Sequence, residues 1–165
     1  MDHLIREVIQ TGRAATNVEV GQILDHIGLA LFSTAVRRVP GRDRGLAYGG
    51  QMLGSRADSL LYHLIKRVVG DEQWITGTTA TEYVADLHRA AHAPEARLLV
   101  YFSRDQHFAA VIARTGDAVP SSRLGPASAP NILVVYSADS GTIITGYQFS
   151  DLTMLNLPAV VQWLK

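Results

Sequence analysis

The sequence contains no cysteine among its 165 residues. Disulfide bonds, thiolate metal sites and a cysteine nucleophile are therefore excluded, while the redox compartment stays open. The chain also lacks an apolar run near the ~20 residues that a transmembrane helix needs. Its N-terminus has no basic stretch followed by an apolar core, so no secretory signal is visible. We expect a cytoplasmic protein without a membrane segment.

Net charge is also absent, because 15 basic residues balance 15 acidic ones. The balance is uneven along the chain. Between Arg37 and Arg67 lie seven basic residues and only two acidic ones, Asp43 and Asp58. The basic residues of this stretch are Arg37, Arg38, Arg42, Arg44, Arg56, Lys66 and Arg67. Such a stretch predicts a surface that attracts phosphate or an acidic partner, with a simple solvated face as the alternative.

The segment from Ser33 to Gly54 has five glycines and no helical periodicity. It contains neither Gly-x-x-x-x-Gly-Lys-Ser/Thr nor Gly-x-Gly-x-x-Gly, so a nucleotide-binding loop is disfavoured. A segment of this length without structure is unusual in a compact domain. We expect a functional loop, a partly ordered loop, or a hairpin in which Val36–Val39 pairs with Leu46–Tyr48.

The length predicts one domain over residues 1–165. Apolar residues at helical spacing predict helices over 2–10, from Thr16 to about Phe32, from Ser55 to Gly70, and from Thr79 to about His92. Thr16 and Thr79 are each followed by Glu three residues later, which predicts a capping box at both helix starts. Residues 1–70 thus form a helical part, and residues 79–165 a helix followed by a β-meander.

Four runs rich in branched and aromatic residues predict strands over Ala96–Ser103, His107–Arg114, Asn131–Ala138 and Thr142–Phe149. The gaps after the first and third runs are short enough for hairpins, and Gly141 supplies the positive φ that such turns need. We therefore predict an α+β fold in which N-terminal helices pack on a four-stranded, mostly antiparallel C-terminal sheet.

His88 and His92 have the four-residue spacing of metal ligands on a helix. The zinc-protease pattern requires Glu directly after the first His, and Arg89 stands there instead. Two exposed histidines are the favoured interpretation. We predict no metal site and no cofactor.

Polar residues at the ends of the predicted strands form the remaining candidate site. Arg104 and His107 flank the first hairpin, while Thr145 and Tyr147 share one face of the last strand because side chains alternate with a period of two. These residue types suit metal-independent RNA cleavage, in which an acid or base moves protons and a cation stabilises the charged phosphorane. Each residue taken singly is also explained by strand propensity or by its position in a turn.

The last strand, written Gly141-Thr142-Ile143-Ile144-Thr145-Gly146-Tyr147, resembles that of the barnase–EndoU–colicin–RelE-like ribonuclease toxins. In those proteins a Thr or Ser, a small residue and an aromatic often close a sheet whose concave face binds RNA. The resemblance covers Thr79–Phe149. It implies Thr145 and Tyr147 as site residues, His107 or His88 as the acid or base, and Arg104 or Arg89 as the phosphate contact.

Two functions are therefore expected. The first is a small, metal-independent ribonuclease-like toxin of a bacterial or mobile-element system, which would act on RNA and could be held by an inhibitory protein partner. The second is a non-enzymatic binding module that grips nucleic acid or an acidic protein through the Arg-rich loop. The nucleic-acid contacts are assigned to Arg37, Arg38, Arg42, Arg44 and Arg89.

Overall fold

The computed structural model describes all 165 residues. Its α-helices are α1 (Asp2–Thr11), α2 (Asn17–Ile27), α3 (Ser59–Ile65), α4 (Ala80–Ala91) and α5 (Thr115–Ala118). Its strands are β1 (Val36–Arg38), β2 (Ala47–Tyr48), β3 (Gln51–Met52), β4 (Arg56–Asp58), β5 (Arg97–Ser103), β6 (Gln106–Arg114), β7 (Asn131–Ser137), β8 (Ile143–Phe149) and β9 (Val161–Trp163). None of the helices is long and apolar enough to cross a membrane.

The main sheet has the strand order β8-β7-β6-β5-β9, and all its neighbours are antiparallel. This confirms the α+β class and the four predicted strands. The fifth strand, β9, was not predicted. It has only three residues in a Pro-containing tail, and it is a strand because Leu99 pairs with Trp163 across the ladder to β5.

The two faces of the sheet are covered differently. One face carries Leu98, Val100 and their neighbours into the large core formed with the helices. The opposite face, which includes Leu99 and Leu133, is covered by the C-terminal segment around Leu155. Strand alternation therefore separates a helix-packed face from a face that only the last residues of the chain shield.

Both capping boxes form as predicted, at Thr16 and Thr79. Two helix limits were wrong. α2 ends at Ile27 rather than Phe32, because the backbone after Gly28 leaves the helix and Leu31 and Ser33 bond to the edge of β8 at Ile143. The third helix begins at Ser59 rather than Ser55, because residues 56–58 form a strand.

The Gly- and Arg-rich segment forms two small ribbons, and the predicted pairing of Val36–Val39 with Leu46–Tyr48 was wrong. β1 pairs with β4, and β2 pairs with β3. Gly49 and Gly50 join β2 to β3 with φ values of 57° and 79°, the left-handed geometry of a tight hairpin. Val39 and Leu53 fix the ribbons to α3 by packing on Tyr62 and Ile65.

α3 continues into a π-helical turn over Lys66–Gly70. Such turns are rare and are often found at functional sites. This turn directs Arg67 towards β8, where its Nε donates to the Gly146 carbonyl at 3.2 Å. The side chain of Gln73 covers the same edge by bonding to the backbone of Gln148. The open edge of β8 is thus closed by residues of the α3–α4 region.

Candidate functional site

Thr145 and Tyr147 lie on the sheet face opposite the one that packs on α1 and α4, and α3 lies beside them at the edge of β8. Gly146 between them points to α4, where a Cβ atom would stand 2.3 Å from Leu87 Cδ2. The two side chains line a cleft of about 440 Å³ between the sheet and the C-terminal segment. A bulge in the β7–β8 ladder lets Ile144 also contact this cleft.

The polar lining of the cleft consists of hydrogen-bond donors and amides. Its polar side chains are Tyr101, Ser103, Arg104, Thr145, Tyr147 and Asn156. No Asp or Glu side chain lines it. A cleft with a guanidinium, four hydroxyl groups and no carboxylate has the polarity that an anion requires.

Thr145 is held by two donors. His63 Nδ1 lies 3.0 Å from Thr145 Oγ1, and Arg67 Nη2 lies 3.3 Å from the same oxygen. The other ring nitrogen of His63, Nε2, lies 2.9 Å from Arg37 Nη1. A guanidinium only donates, so Nε2 must accept and the ring proton must sit on Nδ1.

The tautomer of His63 determines what Thr145 can do. With Nδ1–H of His63 and Nη2–H of Arg67 both donating, the two lone pairs of the Thr145 hydroxyl are occupied. Its own proton has no acceptor within the protein. Thr145 therefore offers an O–H donor to the cleft, and it is not arranged to lose that proton to His63.

His63 is held neutral. The residue is only 4% exposed, and burial, together with the charges of Arg67, Arg37 and Lys66, lowers its pKa to about 2. Desolvation is the largest cause, because the charged imidazolium would lose its water shell. At physiological pH His63 therefore orients Thr145 and does not exchange protons.

Arg67 connects Thr145 to Tyr147. Its guanidinium carbon lies 4.8 Å from the centre of the Tyr147 ring, a cation–π contact. The Asp71 carboxylate forms an ion pair with Arg67. Arg67 is 8% exposed, so water screens its charge poorly. Its interactions with Thr145 and Tyr147 are therefore stronger than they would be at the surface.

The phenols of the cleft stay protonated at neutral pH. Burial raises the pKa of Tyr101 to about 12, and the neighbouring Tyr147 adds to the increase. Burial also raises the pKa of Tyr147, against the opposing charge of Arg67. Both side chains are thus proton donors and not bases.

The structure brings Arg104, Thr145 and Tyr147 together, but not the two predicted histidines. His107 alternates to the helix-packed face, where Nδ1 lies 3.1 Å from Asp2 Oδ1. His88 lies on α4, with its ring centre 4.3 Å from that of His92 and the two ring planes tilted by 48°. The acid or base roles expected for His107 and His88 therefore have no geometric support in this cleft.

The predicted nucleic-acid contacts are also divided. Arg37 points inwards and bonds to His63, whereas Arg38, Arg42 and Arg44 are exposed. Arg89 lies on α4 and is engaged by Asp86 and the Ala118 carbonyl. No single surface contains all five arginines.

Sequence reasoning missed His63 and Tyr101, and it counted Arg67 in the basic stretch without assigning it to the cleft. His63 and Arg67 lie off the apolar stripe of the predicted third helix, and this pattern is typical of exposed residues. Both are buried in the structure, at 4% and 8% exposure. For Tyr101 the sequence offers one indication, which is its position in a strand that is apolar on both faces. Only one of those faces can pack on the helices, so the other must be covered by a different part of the chain.

No family model, curated protein or solved structure matches this chain. No three His, Asp or Glu side chains converge in a way that would hold a metal ion.

Proposed function

We propose that this chain is a ribonuclease-like enzyme that binds a phosphodiester of RNA in the cleft at Thr145 and Tyr147. The observation that carries the proposal is the double support of Thr145. An uncharged His63 and a charged Arg67 fix its oxygen at 3.0 and 3.3 Å and turn its proton towards the cleft. The resemblance of the last strand to the ribonuclease toxins supports the same reaction.

In this reaction the 2′-oxygen attacks the neighbouring phosphorus, the bond to the 5′-oxygen breaks, and a 2′,3′-cyclic phosphate remains. Negative charge builds on the non-bridging oxygens. Thr145 and Arg104 line the cleft in which those oxygens would lie. Preorganised donors in a shielded cleft are usually the largest single contribution to catalysis.

The proton for the departing 5′-oxygen is assigned to a phenol. Tyr101 and Tyr147 are both protonated at neutral pH, since burial raises their pKa values. Tyr147 is the better placed of the two, because Arg67 on its ring stabilises the phenolate that a proton transfer would leave. The cleft offers no carboxylate or free imidazole to accept the 2′ proton, so that proton passes to solvent water as the 2′-oxygen bonds to phosphorus. Charge stabilisation therefore supplies most of the rate enhancement.

The test is cleavage of a 5′-labelled RNA by purified protein, with and without EDTA. We expect that EDTA does not reduce the cleavage of RNA and that the products carry cyclic-phosphate ends. DNA of the same sequence should not be cleaved, because it lacks the attacking 2′-hydroxyl. Thr145→Val, purified in parallel, controls for contaminating nuclease. Equal cleavage by the wild type and Thr145→Val, or none by either, would reject the enzyme.

A binding module without enzymatic activity is the second candidate. It is favoured by the exposed arginines of the β1–β4 ribbon, which lie outside the cleft. The two functions are separable, since variants of the cleft would leave that surface intact. If the chain is a toxin, as the family resemblance implies, an inhibitory protein partner would be expected to cover the cleft.

A further inference from the structure

The β1–β4 ribbon sends neighbouring arginines to opposite sides. Arg37 faces inwards and bonds to His63, and Arg38 faces solvent together with Val36. Register places Arg38 directly opposite Arg56 of β4. Like charges in that position repel and disfavour the pairing, so stability alone does not explain them.

A third guanidinium joins this pair. Arg38, Arg44 and Arg56 line a shallow recess of about 490 Å³ with Val36 and Ser55, here called the arginine recess. All three arginines are exposed, and none has a carboxylate within 4.0 Å. The carboxylate closest in sequence to Arg44, that of Asp43, is instead buried against Tyr62 and Lys66.

We infer that the arginine recess binds the phosphate backbone of RNA, at a site separate from the cleft. The choice of RNA rests on the proposed function; the anion site itself rests on the three unneutralised charges. Three guanidiniums around one recess can each donate a forked pair of hydrogen bonds to phosphate oxygens. In a chain of zero net charge, this concentration of one sign is local and directional.

An acidic protein partner is the less fitting occupant. Protein interfaces depend on a buried aromatic or aliphatic anchor at their centre. The arginine recess has no aromatic lining, and Val36 is its only hydrophobic residue. A flexible polyanion held by charge requires no such anchor, and backbone phosphates are recognised in that way.

The experiment measures binding of a fully 2′-O-methylated single-stranded RNA by fluorescence anisotropy across salt concentrations. The test protein is the triple variant Arg38→Gln, Arg44→Gln, Arg56→Gln. The matched control removes three other exposed arginines, Arg6, Arg97 and Arg114. Circular dichroism confirms that both variants fold.

Three lost phosphate contacts should lower the slope of log K against log salt by about 2, at ~0.7 per contact for single strands. The control should keep a slope close to that of wild type. An unchanged slope in the recess variant, or an equal fall in both variants, would overturn the inference. Polyglutamate and inorganic polyphosphate are then compared as competitors of the bound RNA. If polyglutamate displaces the RNA as effectively as polyphosphate does, the recess would be assigned to an acidic protein, and the inference would be overturned.

This result is independent of cleavage, because a 2′-O-methyl group blocks the attacking oxygen. Loss of binding in the recess variant would support the inference even if no RNA is cleaved. Conversely, the protein could cleave a dinucleotide while the recess variant binds long RNA as tightly as wild type does. That result would support the proposed enzyme and reject the arginine recess as an RNA site.

Discussion

Thr145 is the residue on which the site depends, and its setting shows how a hydroxyl can be fixed without a catalytic base. Arg37 sets the tautomer of His63, and His63 in turn orients Thr145. The Nε of Arg37 is buried without a partner, so the guanidinium is held mainly by His63 and by its stacking on Tyr62 at 4.2 Å. A chain of three side chains thus determines the direction of one proton.

The phenol of Tyr147 is expected to take part in the reaction. Tyr147→Phe removes a hydroxyl that lines the cleft and leaves the ring under Arg67. Loss of one preorganised donor typically lowers rates by about 10²–10³. Single-turnover cleavage of RNA by the folded variant measures the effect.

Tyr136→Phe is the matched control, because Tyr136 is buried on the helix-packed face and its hydroxyl has no partner. Its rate should stay near that of wild type. If both variants cleave equally fast, Tyr147 has a packing role only.

The buried imidazole of His63 should make stability depend on pH. Folding lowers its pKa from 6.5 to about 2. As pH falls below 6.5, the unfolded chain binds a proton that the folded chain does not. The free energy of unfolding therefore decreases, with a slope approaching about 1.4 kcal/mol per pH unit.

Urea unfolding of wild type and His63→Gln between pH 7.5 and 5 tests this. The variant should lose most of the slope, and His3→Gln, at an exposed position of α1, should keep it. A wild-type slope that persists in His63→Gln would mean that another group is responsible.

At the scale of elements, the contact between β8 and α4 passes through a glycine. Gly146→Ala would place a Cβ atom 2.3 Å from Leu87 Cδ2, in a core where Leu87 is fully buried. Overpacking of this kind typically costs about 1–3 kcal/mol. We expect that loss in the unfolding free energy of Gly146→Ala.

A double-mutant cycle with Leu87→Ala measures the coupling free energy between positions 146 and 87. The second substitution removes the atoms that clash, so Gly146→Ala should cost much less in that background. Additive losses would show that strand geometry, and not the contact with α4, requires the glycine.

The sequence predicted those elements whose partners lie nearby in the chain. β5 pairs with β6 and β7 with β8 through short hairpins, so each strand was visible as an apolar run between turn residues. The paired residues of β1 and β4 lie about 20 positions apart in the chain, and those of β5 and β9 lie 60 to 64 positions apart. Short strands joined over such distances carry no local pattern.

The candidate site likewise has a part that the local sequence predicts and a part that depends on contacts between distant residues. Thr145 and Tyr147 share a face by simple alternation, and sequence alone places them together. The hydrogen bond from His63 to Thr145 spans 82 residues. It exists only because the π-turn and α3 pack against the edge of β8, which is a tertiary fact that no motif records.

At the scale of the whole molecule, the C-terminal segment forms a third layer over the sheet. Leu155 is 7% exposed and packs with Leu133, Val135 and Phe149 beside the cleft. Neighbouring residues up to Pro158 form the cleft wall opposite the sheet. The cleft thus depends on a segment that contributes only one short strand to the fold.

Leu155→Ala should destabilise the protein and impair the cleft together. A buried Leu→Ala substitution typically costs about 2–5 kcal/mol, and loosening the segment should also raise the KM for RNA by widening the cleft. Met154→Ala is the control next to it, since Met154 is 67% exposed and surface substitutions usually change stability by less than ~0.5 kcal/mol. Urea unfolding and steady-state cleavage measure both effects. If Leu155→Ala matched Met154→Ala in both measurements, the C-terminal segment would be dispensable and the cleft would have to be formed by the sheet alone.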